Sequence, residues 1–318
     1  MSLGPQILNQ KYERAVFLGS KEFGLNIFRS VFSITPNLKW VIIHPDDSND
    51  ERSNLSDFAE FAKKWGVELL IPHSSIEAGE ILSKVNPDIG IMCGWYWLLG
   101  PEQLASIHGG LWGIHNSLLP KYRGGSPLIW TILNGERYVG STMFKLSEGL
   151  DDGPILHQIC FEIANDEDVS TILLKIQKRM IDEVPNRWLE LISNRAKFTL
   201  QDENQATYCG QRIADDGLID WTKNAQSLHN FIRAQAPPYP GAFSFLLDVK
   251  VEFLKSKPLN EVYYGTPGQI LRRTAKSIVI SCGDDTAIEV SQLRVNGSIS
   301  IPNEVVKSHR LRFSNTSR

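Results

Sequence analysis

Residues 15–44 read AVFLGSKEFGLNIFRSVFSITPNLKWVIIH, and this stretch decides the fold. An apolar run at Ala15–Gly19 comes first, an amphipathic pattern follows from Glu22 to Phe32, and a second apolar run covers Leu38–His44. Both apolar runs are continuous, which is typical of strands buried on both faces of a parallel sheet. The order strand, helix, strand therefore predicts an α/β arrangement with helices packed over a sheet.

The same alternation continues along the first half of the chain. A helical pattern covers Ser53–Trp65, and further apolar runs lie at Val67–Ile71 and Asp88–Cys93. This predicts an α/β fold with a Rossmann-like, doubly wound, mostly parallel sheet. Ligands of such sheets bind beyond the carboxyl ends of the strands. The loops to consider are therefore Gly19–Gly24, Gly94–Gly100 and Asn116–Pro127.

The second half has a different pattern. A long helix is predicted at about Val169–Ser193, and the polar, aperiodic stretch that follows it indicates a linker. Beyond a helix at Asn224–Ala234, short runs separated by Gly, Asp and Pro favour a small β-barrel. These runs are Ala242–Leu247, Lys250–Leu254, Gly268–Arg272, Ser277–Ser281 and Ala287–Leu293. The predicted domains are 1–194 and 207–318, joined by a linker at 195–206.

Composition excludes several classes of protein. The 318 residues are 42% hydrophobic and 22% charged, with a net charge of −3, as in an ordinary globular protein. This balance argues against a disordered chain and against a strongly basic nucleic-acid binder. The 4 cysteines lie far apart and form no C-x-x-C pair, so a zinc or other metal site is not expected. No apolar run is long enough for a membrane span, the start lacks a signal-peptide pattern, and the expected compartment is the cytoplasm.

The first loop does not have the features of a nucleotide-binding turn. Gly19-Ser20-Lys21-Glu22-Phe23-Gly24 follows the first predicted strand but lacks the middle glycine of Gly-x-Gly-x-x-Gly. The bulky Lys-Glu pair keeps a pyrophosphate from approaching the backbone, which disfavours a nicotinamide dehydrogenase.

His115 and Asp151 are the candidate catalytic pair, and they lie in the densest motif-bearing stretch, 110–156. A lone histidine is more often structural, and Asp151 alone fits a tight turn in GLDDG. Together, at the ends of neighbouring apolar strands, they predict an imidazole and a carboxylate over one pocket. Such a pair suits acyl transfer to an amine, which must lose a proton while the leaving nitrogen gains one. No Ser or Cys nucleophile stands at an elbow, so direct transfer is favoured.

Several motifs resemble the formyltransferases that use 10-formyltetrahydrofolate. They are HNSLLP at 115–120, RG at 123–124, GST at 140–142 and GLDxG at 149–153. The later motifs IDW at 219–221, IRA at 232–234 and YPGAF at 239–243 are similar to the C-terminal domain of methionyl-tRNA formyltransferase and of the UDP-aminoarabinose formyltransferase. The resemblance extends from about Ala15 to Gly297. It implies a Rossmann-like catalytic domain followed by an OB-like barrel.

The resemblance also implies an N-formyltransferase with 10-formyltetrahydrofolate as co-substrate and a catalytic trio of Asn-x-His plus Asp. His115 and Asp151 match the trio, but Gly113 occupies the Asn position. Losing one oxyanion donor costs roughly 2.7–4 kcal/mol. Asn116 is the predicted substitute if the chain turns directly after His115, because alternate residues of a strand face opposite sides. Ser117, a backbone N–H or a water are the other candidates.

The resemblance places the folate against the loop after the fourth strand, with 147–152 closing the other side. The predicted folate-binding residues are Gly94, Trp95, Tyr96, Trp97, Leu98, Ser147, Leu150 and Asp152. The predicted acceptor-binding residues are Ser117, Lys121, Arg123 and Gly124. The composition of 94–98 alone fits a buried aromatic cluster equally well.

Two acceptor classes are open, methionyl-tRNA and nucleotide-linked amino sugars. A tRNA enzyme must neutralise several phosphates, whereas the loop His44–Arg52 is short and acidic. Pro127-Leu128-x-Trp130 is closer to the aminoarabinose enzyme than to the tRNA enzymes, so an amino sugar is favoured. Because of Gly113, a folate- or sugar-binding homologue without catalysis and a formyl-folate hydrolase remain alternatives. The oligomeric state is open, with a homodimer as one option.

Overall fold

A computed structural model describes residues 12–50 and 53–316. By spatial compactness the chain divides into two units. The first contains the described residues up to Gly124 together with Gly140–Cys160 and Lys175–Tyr208. The second contains Gly125–Val139, Phe161–Leu174 and the described residues from Cys209 onward. The domain boundaries at 194 and 207 stay a prediction.

The main sheet of the first part of the chain is mostly parallel, as predicted. The strands in this part are β1 Arg14–Gly19, β2 Lys39–Ile43, β3 Glu68–Leu70, β4 Ile89–Cys93, β5 Leu111–His115, β6 Arg123–Gly124, β7 Tyr138–Lys145 and β8 Ile155–Glu162. Seven of them form one sheet in the order β3-β2-β1-β4-β5-β7-β8. The pairs from β3 to β5 are parallel, and β7 runs antiparallel to β5. The short β6 pairs instead with β9, Tyr208–Cys209.

Helices lie between most of these strands. They are α1 Lys21–Ile34, α2 Leu55–Trp65, α3 Ser75–Val85, α4 Pro101–Ser106, α5 Pro127–Leu133 and α6 Val169–Ile192. The four predicted strands and the helices α1, α2 and α6 are confirmed within about two residues at each end. In the part of the chain that the structure describes, no helix combines the length and apolar character needed to cross a membrane.

Burial explains why the apolar runs form this sheet. In β1 every side chain after Arg14 is buried, because helices cover both faces. Val16 and Leu18 of β1 join Val41 and Ile43 of β2 in one core cluster. Helix α3, which the sequence analysis did not identify, begins at the N-cap Ser74, whose Oγ accepts the Glu77 N–H at 3.2 Å. The Glu77 carboxylate accepts the N–H of His73, the residue before the cap, at 2.8 Å.

The second unit is built on an antiparallel sheet that forms a half-barrel. Its strands are β10 Ala242–Leu246, β11 Val249–Pro258, β12 Ile270–Arg273, β13 Ile278–Ser281, β14 Ala287–Val295, β15 Ser298–Ser300 and β16 Phe313–Ser314, with helices α7 Ala225–Ala234 and α8 Pro302–Val305. The order is β12-β13-β14-β11-β10-β16, and β15 pairs with β14. Trp221, Phe253 and Phe313 fill the core with mutual ring contacts. The five predicted strands and the helix before them are confirmed.

The carboxyl ends of β1, β4 and β5 lie at one edge of the sheet, because these strands are parallel neighbours. Ser20 joins the loops after β1 and β4: its N–H donates to Cys93 O at 3.3 Å and its hydroxyl donates to Gly94 O at 3.0 Å. Gly94 has φ +74°, and a Cβ there would lie 2.4 Å from Ser20 O, so this close approach requires glycine.

Candidate active site

His115 is the last residue of β5 and lies opposite Thr142 of β7. Its Nε2 is 2.8 Å from the Tyr122 carbonyl oxygen. Because a carbonyl oxygen only accepts, Nε2 carries the proton and Nδ1 is the nitrogen left to accept one. Nδ1 faces Asp151 Oδ2 at 3.6 Å, and the two side chains are 10% and 21% exposed. The predicted imidazole and carboxylate are thus brought together, partly shielded from water.

Asp151 is placed by a loop rather than by the end of a strand. It lies between β7 and β8, with φ +52°. Its Oδ2 accepts the Gly124 N–H at 2.8 Å. The side chain of Gln201 holds the loop from the other side, since Nε2 donates to Asp151 O at 2.7 Å and to Gly153 O at 2.8 Å. Three hydrogen bonds, from Gly124 and Gln201, therefore hold this loop, and the one from Gly124 reaches the carboxylate itself.

The chain turns directly after His115, which is the condition set for Asn116. Ser117 N donates to His115 O at 2.9 Å, closing a tight turn. The hydroxyl of Ser141, fully buried on β7, lies 3.0 Å from Asn116 Oδ1 and 3.1 Å from His115 O, and its single proton is shared between these two acceptors. Within the described residues, nothing accepts from Asn116 Nδ2. The carboxamide therefore has a donor available.

The space beside Gly113 is occupied by apolar side chains. Phe144 lies opposite it across β5 and β7. A Cβ on Gly113 would be 3.0 Å from Leu146 Cδ1 and 3.2 Å from Phe144 Cε1. A carboxamide at this position would need both neighbours to move. The position that the resemblance assigns to asparagine is therefore bordered by apolar side chains in this protein.

The predicted folate loop presents several rings at the sheet edge. Trp97 makes edge-on contacts with Trp95 at 5.4 Å and with Tyr96 at 5.8 Å between ring centroids. Tyr96 and Leu98 are exposed, and Trp95 Nε1 is buried with no hydrogen-bond partner among the described residues. An unpaired indole N–H beside exposed apolar groups is a suitable surface for a flat heterocycle with acceptor atoms.

The predicted opposite side of the folate site reaches the same core. Leu146 and Trp95 both pack against the cluster that contains Leu111. Ser147 Oγ donates to Asp152, which fixes the loop, while Leu150 is exposed. Leu146, the residue before 147–152, and Trp95 thus contact one core cluster, and a folate site between the two segments stays a prediction.

A polar cluster follows β1 and β2 at this edge. Lys21 Nζ contacts Asp47 at 2.9 Å and Asp50 at 2.7 Å, and lies 5.9 Å from the Tyr96 ring centre. Burial and the nearby carboxylates of Asp47 and Asp50 raise the pKa of Tyr96 to about 12. Burial lowers the pKa of His44, whose imidazole is fully enclosed. The ammonium group of Lys21, in the first loop, is therefore neutralised by the carboxylates of Asp47 and Asp50.

The predicted acceptor-binding residues separate into two groups. Ser117 is buried and its hydroxyl donates to Lys121 O at 2.7 Å, while the Lys121 side chain is exposed. Gly124 uses its N–H on Asp151. Arg123 is 1% exposed and makes paired hydrogen bonds to Glu203 at 2.6 and 2.8 Å, and this bonding raises its pKa. We therefore assign Arg123 a structural role in place of the predicted contact with substrate.

Sequence reasoning missed Gln201 and the Tyr122 carbonyl. Gln201 lies in the segment predicted as a linker, and no local signal marks it. The contact of Tyr122 is made by its backbone at φ +60°, which its side-chain type does not reveal. Among the described residues, no group of three or more His, Cys, Asp or Glu side chains is arranged to hold a metal ion.

Comparison with known proteins gives consistent matches. Residues 65–186 match the family described as Formyl transferase, and residues 213–310 match Formyl transferase, C-terminal domain. The bifunctional polymyxin resistance protein ArnA of Wigglesworthia glossinidia brevipalpis is 34% identical over 245 residues, which is 76% of this chain and 37% of ArnA. The chain thus spans little more than a third of the length of that relative.

Two solved structures share the fold. WlaRD, a sugar 3N-formyl transferase solved in the presence of dTDP and 5-N-formyl-THF, has a TM-score of 0.66 at 19% identity, covering 90% of this chain and 98% of its own. The methionyl-tRNA formyltransferase of Clostridium thermocellum has a TM-score of 0.54 at 19% identity, covering 78% and 94%. Since the two family matches follow each other in one chain and together cover more than half of it, the chain belongs to the formyl transferase family.

Proposed function

We propose that this protein transfers a formyl group from 10-formyltetrahydrofolate to the primary amine of a nucleotide-linked amino sugar. The observation that carries the proposal is the pair formed by His115 Nδ1 and Asp151 Oδ2, 3.6 Å apart, with Nε2 held by Tyr122 O. This arrangement leaves one imidazole nitrogen able to accept a proton next to a fixed negative charge.

In the proposed reaction the amine nitrogen forms a bond to the formyl carbon, and the bond from that carbon to the folate nitrogen breaks. His115 Nδ1 takes the proton that the amine loses, and Asp151 stabilises the imidazolium. The imidazolium returns the proton to the departing nitrogen, so no proton is gained or lost overall. Asn116, whose Oδ1 lies 3.0 Å from the Ser141 hydroxyl, donates from Nδ2 to the oxygen that becomes negative during the transfer.

The co-substrate is proposed from the family and from the fit of the loop after β4. The unpaired Trp95 N–H and the exposed ring of Tyr96 suit a pteridine, and Leu150 with the pair Ser147–Asp152 would close the other side of the site. WlaRD, which has the same fold, was solved with 5-N-formyl-THF.

Charge favours a sugar nucleotide over tRNA as the acceptor. The loop after β2 places Asp47 and Asp50 on Lys21, so the cation there is not available for a phosphate backbone. The whole chain carries −3, whereas binding a folded RNA relies on several Lys or Arg contacts to phosphates. WlaRD is named as a sugar enzyme and was solved with dTDP.

The test is an acceptor panel with purified protein and 10-formyltetrahydrofolate, with products identified by mass spectrometry. The panel contains UDP- and dTDP-linked 3-amino and 4-amino sugars and methionyl-tRNA. Formamide formed on one sugar class is the expected result. Formylation of the tRNA alone would identify methionyl-tRNA as the acceptor and overturn the proposed amino sugar. Release of formate without an amine would indicate a hydrolase, and no turnover on any acceptor would contradict the proposal.

The first prediction concerns the catalytic pair. His115→Gln and Asp151→Asn should each lower kcat by about 10²–10⁴, because each removes a participant in proton transfer. His108→Gln is the matched control, since His108 is exposed. Steady-state kinetics on the best acceptor measures the effect, and wild-type kcat in both site variants would rule out this mechanism.

A further inference from the structure

Asp151 is held by a chain of hydrogen bonds that includes Gln201, a residue outside the sequence motifs described above. We propose that Gln201, oriented by Arg123, is a positioning residue that keeps the Asp151 loop in register with His115. This inference rests on the proposed function for its catalytic meaning, but the hydrogen-bond chain itself is a property of the folded protein.

The contacts of Gln201 use its whole carboxamide. Both N–H bonds of Nε2 are donated to backbone carbonyls, to Asp151 O at 2.7 Å and Gly153 O at 2.8 Å. Carbonyl oxygens only accept, so these two sites require an NH₂ group and reject a carboxylate or an ether oxygen. Asp151 has φ +52°, a left-handed conformation that a non-glycine residue keeps only where its surroundings hold it.

Arg123 determines which way the carboxamide points. Its Nε and Nη2 donate to Gln201 Oε1 at 3.1 and 2.9 Å. A guanidinium has donors only, so a rotated amide would face NH₂ against donors and oxygen against carbonyls. Glu203 anchors the guanidinium through two further hydrogen bonds, at 2.8 and 2.6 Å. The amide of Gln201 therefore has one favourable orientation.

Arg123 is also linked to Asp151 through the backbone of the residue that follows it. Gly124, the residue after Arg123, donates its N–H to Asp151 Oδ2 at 2.8 Å. The side chain of Arg123 thus acts on the loop backbone through Gln201, while its neighbour holds the carboxylate. Asp151 Oδ2 is also the atom 3.6 Å from His115 Nδ1, so a small displacement of the loop changes that distance directly. A misplacement of about 1 Å in a catalytic group can cost about 10²-fold in rate.

The test replaces the donor at position 201 without changing its size. Gln201→Glu keeps an oxygen for Arg123 but presents a second oxygen to the carbonyls of Asp151 and Gly153. Gln177→Glu on α6 is the matched control: it makes the same change in the same unit, at a residue whose side chain donates to no described group. Gln201→Met removes the donors without adding charge and serves where Gln201→Glu does not fold.

The kinetic readout is the division between kcat and KM. A positioning role predicts that kcat falls about tenfold to a hundredfold in Gln201→Glu while KM for the acceptor amine stays within about twofold. KM for the folate is expected to rise as well, because Leu150 and Asp152 belong to the displaced loop. The control keeps the wild-type kcat. A wild-type kcat in folded Gln201→Glu or Gln201→Met, or a loss that only follows a lower folded fraction, would overturn the proposal.

A second readout does not depend on turnover. The ring ¹⁵N chemical shifts of His115 at fixed pH, identified by their absence in His115→Gln, report the contact with Asp151. They should change in the Gln201 variants and stay constant in Gln177→Glu. If no acceptor is formylated by the wild type, the proposed function fails while this measurement still decides the positioning role: unchanged shifts overturn it.

Discussion

The residue type at position 113 depends on the packing of the neighbouring side chains. The Phe144 ring, opposite Gly113 on β7, also lies edge-on to the His115 ring at 6.3 Å. Phe144 and Leu146 thus fill the side of β5 that precedes the catalytic imidazole. A carboxamide inserted there would be buried against apolar groups, where an unpaired amide is unfavourable. The absence of a side chain at Gly113 leaves the room that Phe144 and Leu146 occupy.

The expected result of Gly113→Asn follows from this packing. The substitution should lower the free energy of unfolding by about 1–3 kcal/mol, as overpacked cores do, and should not raise kcat. Denaturant unfolding and the formyl-transfer assay measure the two effects. Gly210→Asn is the control, because a Cβ at Gly210 meets no atom within 4 Å. A more active Gly113→Asn protein of unchanged stability would show that the slot is open to the carboxamide.

Single residues of the site could be predicted only where a motif marks them. His115 and Asp151 are recognisable because HNSLLP and GLDDG carry them within one stretch. Gln201 lies 50 positions beyond Asp151 in a polar segment, and its role depends on a contact that only the folded chain makes. Arg123 was predicted to face substrate because an exposed arginine suits anions. Burial and two hydrogen bonds from its guanidinium to Glu203 give it a different environment.

Strand β7 is largely buried although its sequence contains polar residues, so it lacks the pattern that predicts a buried strand. Its sequence YVGSTMFK has no apolar alternation, yet six of its eight residues are buried. Ser141 and Thr142 tolerate complete burial because their hydroxyls donate to His115 O at 3.1 Å and Ser117 O at 2.7 Å. The sequence predicts an apolar strand before Asp151 but not its bounds, because a strand satisfied by side-chain hydrogen bonds lacks a continuous apolar pattern.

Helix α7 carries the clearest titratable group in the core of the second unit. His229 Nε2 donates to Asn165 O at 2.7 Å, and Nδ1 lies 3.0 Å from Ser256 Oγ. Burial lowers the pKa of His229, and the nearby Arg233 acts in the same direction. The folded state therefore binds fewer protons than the unfolded chain at pH values between the lowered pKa and about 6.5.

Stability should consequently fall as pH drops below about 6.5, by at most about 1.4 kcal/mol per pH unit for this group. His44, whose pKa is also lowered by burial, adds a contribution of the same sign. Replacing His229 with Gln should flatten the dependence without abolishing it, while His108→Gln should follow the wild type. Urea unfolding followed by circular dichroism at about pH 7.5, 6.5 and 5.5 tests this. A His229→Gln slope equal to that of the wild type would contradict it.

The division of the whole chain into domains predicted from the sequence differs from its division by spatial compactness. The sequence predicts one cut, with a linker at 195–206, because polarity changes once along the chain. Spatial compactness instead groups Gly125–Val139 and Phe161–Leu174 with the residues after Cys209. Composition carries no information about such interleaved segments, since each is as apolar as the stretches around it. The boundary at 194 and the OB-like character of 207–318 stay proposals to be tested.

The predicted linker and the division by spatial compactness lead to different hydrogen-exchange rates for the segment 195–206. Thr199 exchanges two backbone hydrogen bonds with Ile155, at 2.8 and 2.9 Å, and Gln201 and Glu203 hold Asp151 and Arg123. Hydrogen exchange at Thr199 should be slower than in the exposed turn Asn296–Gly297 by roughly tenfold or more, corresponding to about 1.4 kcal/mol of opening free energy. Mass spectrometry of peptides from both segments measures this. Equal, rapid exchange would mean that 195–206 is a loose linker and that Asp151 is not held from it, whereas protection would place the end of the proposed catalytic domain beyond Thr199.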